Sequence, residues 1–481
     1  NLLGKTVEDI VINKTHGTVQ LTGTGTTDSL LVSSGTLDFN GKAITTVGNV
    51  TIGTTGQVNP RGLPGSVITV GGNMSLTGET NDKLNLSATG SWTLTVNGAS
   101  AVARNVTVAN ANAGAGREID ALGGSNVNGG GNNHWNFGRG ITGFLYSDEG
   151  VTPLSGRTIA VSVNGGAAAG TGATAGDGSF SLYGVNMTGG SVVTLYADGG
   201  AEDAVTVVLA SGATMSGISL YQNRLITMSQ SGSAAVDNAI LGVASLSASS
   251  DTDISAIFSV ASGNLTVASG KELLVWANDT FAPGGQVTAT DYDINGTMTL
   301  GANAFTVNGS FDATGGTFTT SGTATFAATA AGKTVTTNGN AFGGTVTFNG
   351  TGGGWTLQDN LTASGVTVSV GTLVDNGMTV RVDGSISIAN AASLLTSTGI
   401  WEMSADANVS NPYFHSSKFN VLRVGTGVTV TRTGNVNAKS LVMGANALMQ
   451  GSSTLYVAYP TADDFLQLGA GADIASGVVR M

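Results

Sequence analysis

Three separated stretches decide how this chain is built: Gly35-Thr-Leu-Asp-Phe-Asn-Gly-Lys-Ala-Ile-Thr-Thr-Val-Gly-Asn-Val-Thr-Ile52, Gly296-Thr-Met-Thr-Leu-Gly-Ala-Asn-Ala-Phe-Thr-Val-Asn-Gly-Ser-Phe-Asp-Ala313 and Gly371-Thr-Leu-Val-Asp-Asn-Gly-Met-Thr-Val-Arg-Val-Asp-Gly-Ser-Ile-Ser-Ile388. They align over eighteen residues without a gap, and each breaks into three short strand-like pieces. Every copy opens Gly-Thr-(Leu/Met), holds Ile, Phe or Val at its tenth position, Gly at its fourteenth and an apolar residue at its sixteenth. A period of this size in strand-forming residues, punctuated by Gly and Asn, is the mark of a β-solenoid, in which each repeat buries its apolar side only by stacking on its neighbours. The expected interior positions are Ile44, Val47, Val50, Phe305, Val307, Phe311, Val380, Val382 and Ile386.

Short alternating strands with Gly/Asn corners continue on either side of these copies, as in Asp9-Ile-Val-Ile-Asn13 and Trp92-Thr-Leu-Thr-Val96. The corners need positive φ, which Gly adopts freely and Asn tolerates. The pattern breaks between 139 and 224. There, Pro153-Leu-Ser-Gly156, Asp177-Gly178-Ser-Phe-Ser-Leu182 and Ser191-Val-Val-Thr-Leu-Tyr196 read as strands and an Asp-Gly hairpin of a small antiparallel sandwich, with Phe180 and Leu182 in its core. The fold class is therefore all-β: parallel β-helix (β-solenoid) segments with an inserted small antiparallel β-sandwich. The segments are 1–138, 139–224 and 225–481, with roughly 16–20 coils of ~20–25 residues outside the insert. One helix candidate stands out, Ser231-Gly-Ser-Ala-Ala-Val-Asp-Asn-Ala-Ile-Leu241.

Composition narrows the function. Of 481 residues, 74 are Gly and only 10% are charged, against about 25% in ordinary proteins. The 41% of hydrophobic residues argues against disorder. A net charge of −12 and a pI near 4.5, without a Lys/Arg run, argue against binding nucleic acid. The absence of cysteine removes disulfides, thiolate metal sites and a thiol nucleophile, and suits an exported surface protein. No apolar stretch is long enough to span a membrane as a helix. The chain opens on Asn1, which suggests a mature or excised product.

Two resemblances enter on particular residues. Ile10-Val-Ile-Asn-Lys-Thr15, Gly35-Thr-Leu37, Asn40-Gly41 and the closing Gly131-Asn-Asn-His-Trp-Asn-Phe137 resemble repetitive β-helical modules of bacterial surface and adhesin-like proteins. Pro153-Leu154-x-Gly156 with Asp177-Gly178-x-Phe180-x-Leu182 resembles the carboxypeptidase-regulatory-like (transthyretin-like) domain, which implies a spacer or carbohydrate-proximal module and no catalysis.

Chemistry is sparse. The acidic pairs are Asp148/Glu149, Glu202/Asp203, Asp251/Asp253, Asp291/Asp293 and Asp463/Asp464. In Asp251-Thr-Asp253 and Asp291-Tyr-Asp293 the spacing puts both carboxylates on one strand face. Asp251, Asp253, Asp291 and Asp293 are thus the candidate calcium ligands, set against the plainer reading of solvated strand edges. Asp291-Tyr-Asp293 has no Arg, Lys or His within twelve residues. His16, His134 and His415 lack metal-site spacing, and His134 reads as a capping or packing residue. Tyr183 and Tyr196 read as core residues that could otherwise stack on sugars. No catalytic or cofactor-binding residue is expected. The favoured reading is a non-enzymatic extracellular structural protein, a cell-surface fibre, sheath or adhesin-stalk subunit assembling head to tail, with surface polysaccharide as a further partner. The alternatives are a polysaccharide-active β-helix enzyme or phage tail-spike-like depolymerase, and a carbohydrate-binding module array. A groove lined by three or more acidic residues beside an Arg or Lys would favour the enzyme.

Overall fold

The computed structural model describes residues 4–122, 126–231, 234–246, 251–389, 393–412, 418–457 and 466–481. Strand accounts for 58% and helix for 4%, in a parallel β-solenoid of about 22 turns with some antiparallel strands. The chain divides into two compact units: Asn1–Ile141 with Ser181–Met187 and Thr214–Ser216, and the remainder to Met481.

In the first unit the repeat becomes geometry through parallel register. Leu30 pairs with Val50, Val50 with Met74 and Met74 with Ala101, while Ile44 stacks on Ile68 and Ile68 on Leu94. All of these are buried. Side chains alternate across a strand, so in-register stacking turns each inward position into a continuous apolar column. Such burial is worth ~25 cal/mol per Å² of apolar surface.

The second unit repeats the device at greater length. One inward column runs Leu225, Leu273, Tyr292, Phe311, Val335, Leu357. Another begins at Leu265 and passes through Val287, Phe305, Ala324 and Val346 to Val366. Where aromatics meet they interlock: Phe311 lies 5.1 Å from Phe318 edge-on, and Phe342 lies 4.8 Å from Phe318.

The eighteen-residue copies show what each position does. Their sixth residue has positive φ in all three copies: Asn40 at 48°, Gly301 at 59° and Asn376 at 53°. The fourteenth is glycine for a different reason. A Cβ on Gly309 would stand 2.2 Å from the Asp291 carboxylate, and on Gly384 it would stand 2.1 Å from the Ser364 carbonyl. Neighbouring coils leave no room there. Eight of the nine expected interior residues are buried. The exception is Val47, 64% exposed. It occupies the thirteenth position, where the other copies carry Asn308 and Asp383, and strand parity sends Thr46 inward instead.

Between 139 and 229 the chain is partly antiparallel. Thr158–Val163 pairs antiparallel with Ala168–Ala173 and with Gly189–Asp198, which pairs antiparallel with Val205–Ser211. Arg139–Tyr146, Ser179–Val185 and Met215–Tyr221 form a separate three-stranded sheet. The Asp177-Gly178 turn joins strands of different sheets and so is a corner, not the expected hairpin. Phe180 and Leu182 are buried; Tyr196 is buried, but Tyr183 is 77% exposed, contrary to its expected core role. Val205–Ser211 then pairs in parallel with Arg224–Ser229, and that strand with Glu272–Val275, so antiparallel strands and coils share one sheet.

Helix forms slightly later than expected, at Asn238–Ser245 (α1), where the Asp237 carboxylate accepts the Ile240 N–H at 2.7 Å as N-cap. Part of the expected helix, residues 232 and 233, lies outside the described residues. Leu241 and Ala244 of α1, with Ile254 of the short helix Thr252–Ser255 (α2), join the solenoid's apolar core. Both helices pack against the strands Gly189–Asp198 and Phe258–Ala261.

Among the described residues of the second unit, two inward positions carry a charged residue. Asp375 stands where the other copies place Phe39 and Leu300, and is fully buried. Its carboxylate accepts from Ser397 Oγ at 2.6 Å, Thr398 N at 2.8 Å, and Gly399 N and Trp401 Nε1 at 3.0 Å. Arg432 pairs with the buried Val409 and donates to the carbonyls of Gly451, at 2.7 Å, and Ser476.

Two stability measurements follow. Phe311→Ala should lower stability by about 3–5 kcal/mol in chemical denaturation followed by circular dichroism, whereas Val47→Thr should stay within about 0.5 kcal/mol. Asp375→Ala orphans the buried Trp401 indole N–H and two amides, and should cost about 3 kcal/mol or more in the same assay.

Candidate functional site

The coil register that stacks apolar residues inward also stacks charges outward. In the second unit Arg224 pairs with Glu272 and Glu272 with Asp291, while in the adjoining column Ile226 pairs with Leu274, Leu274 with Asp293 and Asp293 with Asp312. Asp291 and Asp293 thus share one strand face, as expected. The turn after Arg139–Tyr146 adds Glu149. Carboxylate oxygens of Glu149, Glu272 and Asp293 lie within 4.8 Å of one another.

Arg224 is the counter-charge. Its Nη2 donates to Glu149 at 2.9 Å, and its Nε lies 2.6 Å from Glu272 Oε2 in an ion pair whose N–H is not aimed at the oxygen. The arginine comes from 69 residues before Asp293, outside the reach of any local sequence pattern. One guanidinium does not balance these acids. Burial pushes the Glu272 carboxyl up to about 7 against the pull of Arg224, with Asp293 and Glu149 adding to the rise. Asp293 rises to about 6, first through burial and then through Glu149, although Asn295 Nδ2 donates to it at 2.6 Å. Asp291 caps the turn of the next coil by accepting the Ser310 N–H at 2.6 Å. Lys271 is turned to Asp203, at 2.7 Å.

Beside the acids runs an open groove of about 380 Å³, lined by Glu149, Tyr221, Leu274, Trp276 and Asn295. Tyr221 sits 6.1 Å from Trp276 and 6.2 Å from Tyr146, and the Arg224 guanidinium lies 5.9 Å above the Tyr221 ring. Tyr221, Leu274 and Ile226 form a small apolar cluster of their own. The aromatic wall is therefore a packed support as well as a surface.

The other expected calcium pair is placed differently from its expected strand. Asp251 is the N-cap of α2, accepting the Asp253 N–H at 3.0 Å, and Asp253 lies in the helix's first turn, accepting the Gly199 N–H at 2.7 Å. Asx capping competed successfully with the strand pattern. Asp198 joins them within 4.8 Å, and burial is the first cause of its raised pKa. His134 occupies a positive-φ turn, its Nδ1 3.3 Å from the Ala113 carbonyl; His16 is exposed on the strand Thr6–Gln20. His415, Asp463 and Asp464 lie outside the described residues. No helix among the described residues is long and apolar enough to cross a membrane.

The raised carboxyls carry a pH signature. Glu272 binds its proton more tightly in the folded state, so its contribution to stability is full below about 4.5 and is lost as pH rises through about 7. Thermal melts should show the second unit losing on the order of 1–3 kcal/mol across that window, with Glu272→Gln flattening the slope.

No known family, curated protein or solved structure matches the chain, and neither resemblance noted in the sequence gains support from one.

Proposed function

We propose that the chain is a non-enzymatic structural element of an extracellular surface assembly, a fibre, sheath or adhesin-stalk subunit. The observation that carries this reading is the second unit's large apolar core, which joins the antiparallel strands and helices from Ala160 to Ile257 to the in-register coils that reach Val457. Most of the sequence is committed to keeping that stack dry and regular. The segmentation into 1–138, 139–224 and 225–481 belongs to the same proposal, as does head-to-tail self-association.

A second reading, a polysaccharide-active enzyme, is favoured by Glu149, Glu272 and Asp293 beside Arg224, the acidic groove that such an enzyme requires. Against an inverting enzyme, the carboxylate oxygens crowd within 4.8 Å, where a pair with room for water keeps ~6.5–9.5 Å. Their Arg224 and Asn295 partners also give them a place in a charge network.

Incubation with a panel of acidic polysaccharides separates the two. The structural reading expects neither reducing ends nor unsaturated products. Product formation that disappears in Glu272→Gln would establish the enzyme instead. Light scattering addresses assembly: growth of scattering mass with concentration is expected, and a strict monomer at high concentration would remove self-association from the proposal.

A further inference from the structure

One outward column of the second unit carries threonine on six successive coils, twice as many as the neighbouring column Thr280, Thr297, Thr317. Thr266 pairs with Thr288, Thr288 with Thr306, Thr306 with Thr325, Thr325 with Thr347 and Thr347 with Thr367. Ser387 and Ser410 extend the hydroxyl column by two coils. The pairings around these residues run without a bulge. Each threonine is flanked by inward residues locked in the core, such as Phe305 and Val307 around Thr306. A β-branched side chain on such a backbone has little rotamer freedom. No hydrogen bond within the protein uses any of the six threonine hydroxyls among the described residues.

A half-buried strand face favours threonine for packing alone. Elsewhere on these coils, however, the same demand is also met by mixed residues, as in the column Asp293, Asp312, Thr336. Beside the threonine column the outward positions include Gln286, Thr323, Thr345 and Asn349, without a charge or an aromatic ring. That composition offers nothing to an ionic ligand and no platform for stacking a sugar. What it offers is a rigid row of hydroxyls and methyls repeating about every 4.8 Å. Two waters bonded to a common third at about 2.8 Å and tetrahedral angles stand about 4.5 Å apart. Successive threonine hydroxyls are therefore spaced to be bridged by water in a tetrahedral lattice, with the methyls filling the spaces between. The first unit repeats the motif: Thr6, Thr26, Thr45, Thr69 and Thr95 form a column in register.

We propose that the threonine column of the second unit orders water into a lattice and binds the surface of ice. The test is thermal hysteresis and ice-crystal shaping by the full chain, compared with Thr306→Lys/Thr325→Lys/Thr347→Lys. A control, Thr334→Lys/Thr356→Lys, alters a different strand of the same coils. Hysteresis and faceted crystals are expected for the wild type and the control, with loss in the triple variant at unchanged β-sheet circular dichroism and melting temperature. The proposal is overturned if the wild type neither shapes ice nor shows hysteresis, or if the triple variant retains both. Retention of the wild type on crystalline cellulose or chitin with none on ice would overturn it too, assigning the face to a polysaccharide.

Discussion

Parallel strand pairing in register, coil upon coil, is the constraint on which everything else in this protein depends. Each coil's backbone groups are satisfied by the coils above and below, so what happens at one position is repeated one strand spacing away. Apolar residues inward become columns such as Leu265, Val287 and Phe305; threonines outward become a hydroxyl row. Glycine is required where coils touch, as at Gly309 and Gly384. A register slip of one residue would send the whole inward set to solvent, and for that reason the repeats tolerate variation in side chain but little in parity.

The same constraint explains the polar exceptions. Asp375 falls on an inward position and cannot turn away, so its oxygens are surrounded by hydroxyl, amide and indole donors. Arg432 meets the same problem with backbone carbonyls. Both are buried charges held by hydrogen bonds, the condition under which burial is tolerated. Outside the core, stacking crowds like charges together. Glu272 and Asp293 rise toward neutral pH first because burial strips their carboxylates of solvent, and then because register sets other acids beside them, beyond what Arg224 offsets.

The antiparallel strands and the two helices of the second unit solve a different problem. Val205, Val207, Leu241 and Ile254 belong to the same apolar core as the coils. An antiparallel pair and capped helices can end a stack whose repeats would otherwise continue to offer strand edges. The groove at Tyr221 and Trp276 arises beside this transition, where the outward column changes from Ile226 and Leu274 to Asp293 and Asp312.

Sequence by itself determined the solenoid, because a period in apolar parity and corner glycines is a local property that stacking only multiplies. It placed Ile44, Phe305 and Val380 inside for that reason, and it misplaced Val47 only where apolarity was weighed above parity. It also put Asp291 and Asp293 on one face. Tertiary structure alone decided which charges meet: Arg224, Glu149 and Asp293 are far apart in the chain and converge through coil register and an inserted turn. It likewise decided that Asp251 would cap a helix, since capping depends on a local backbone choice made by packing against the core. Period is written in each repeat, whereas proximity between repeats exists only once the coils have stacked.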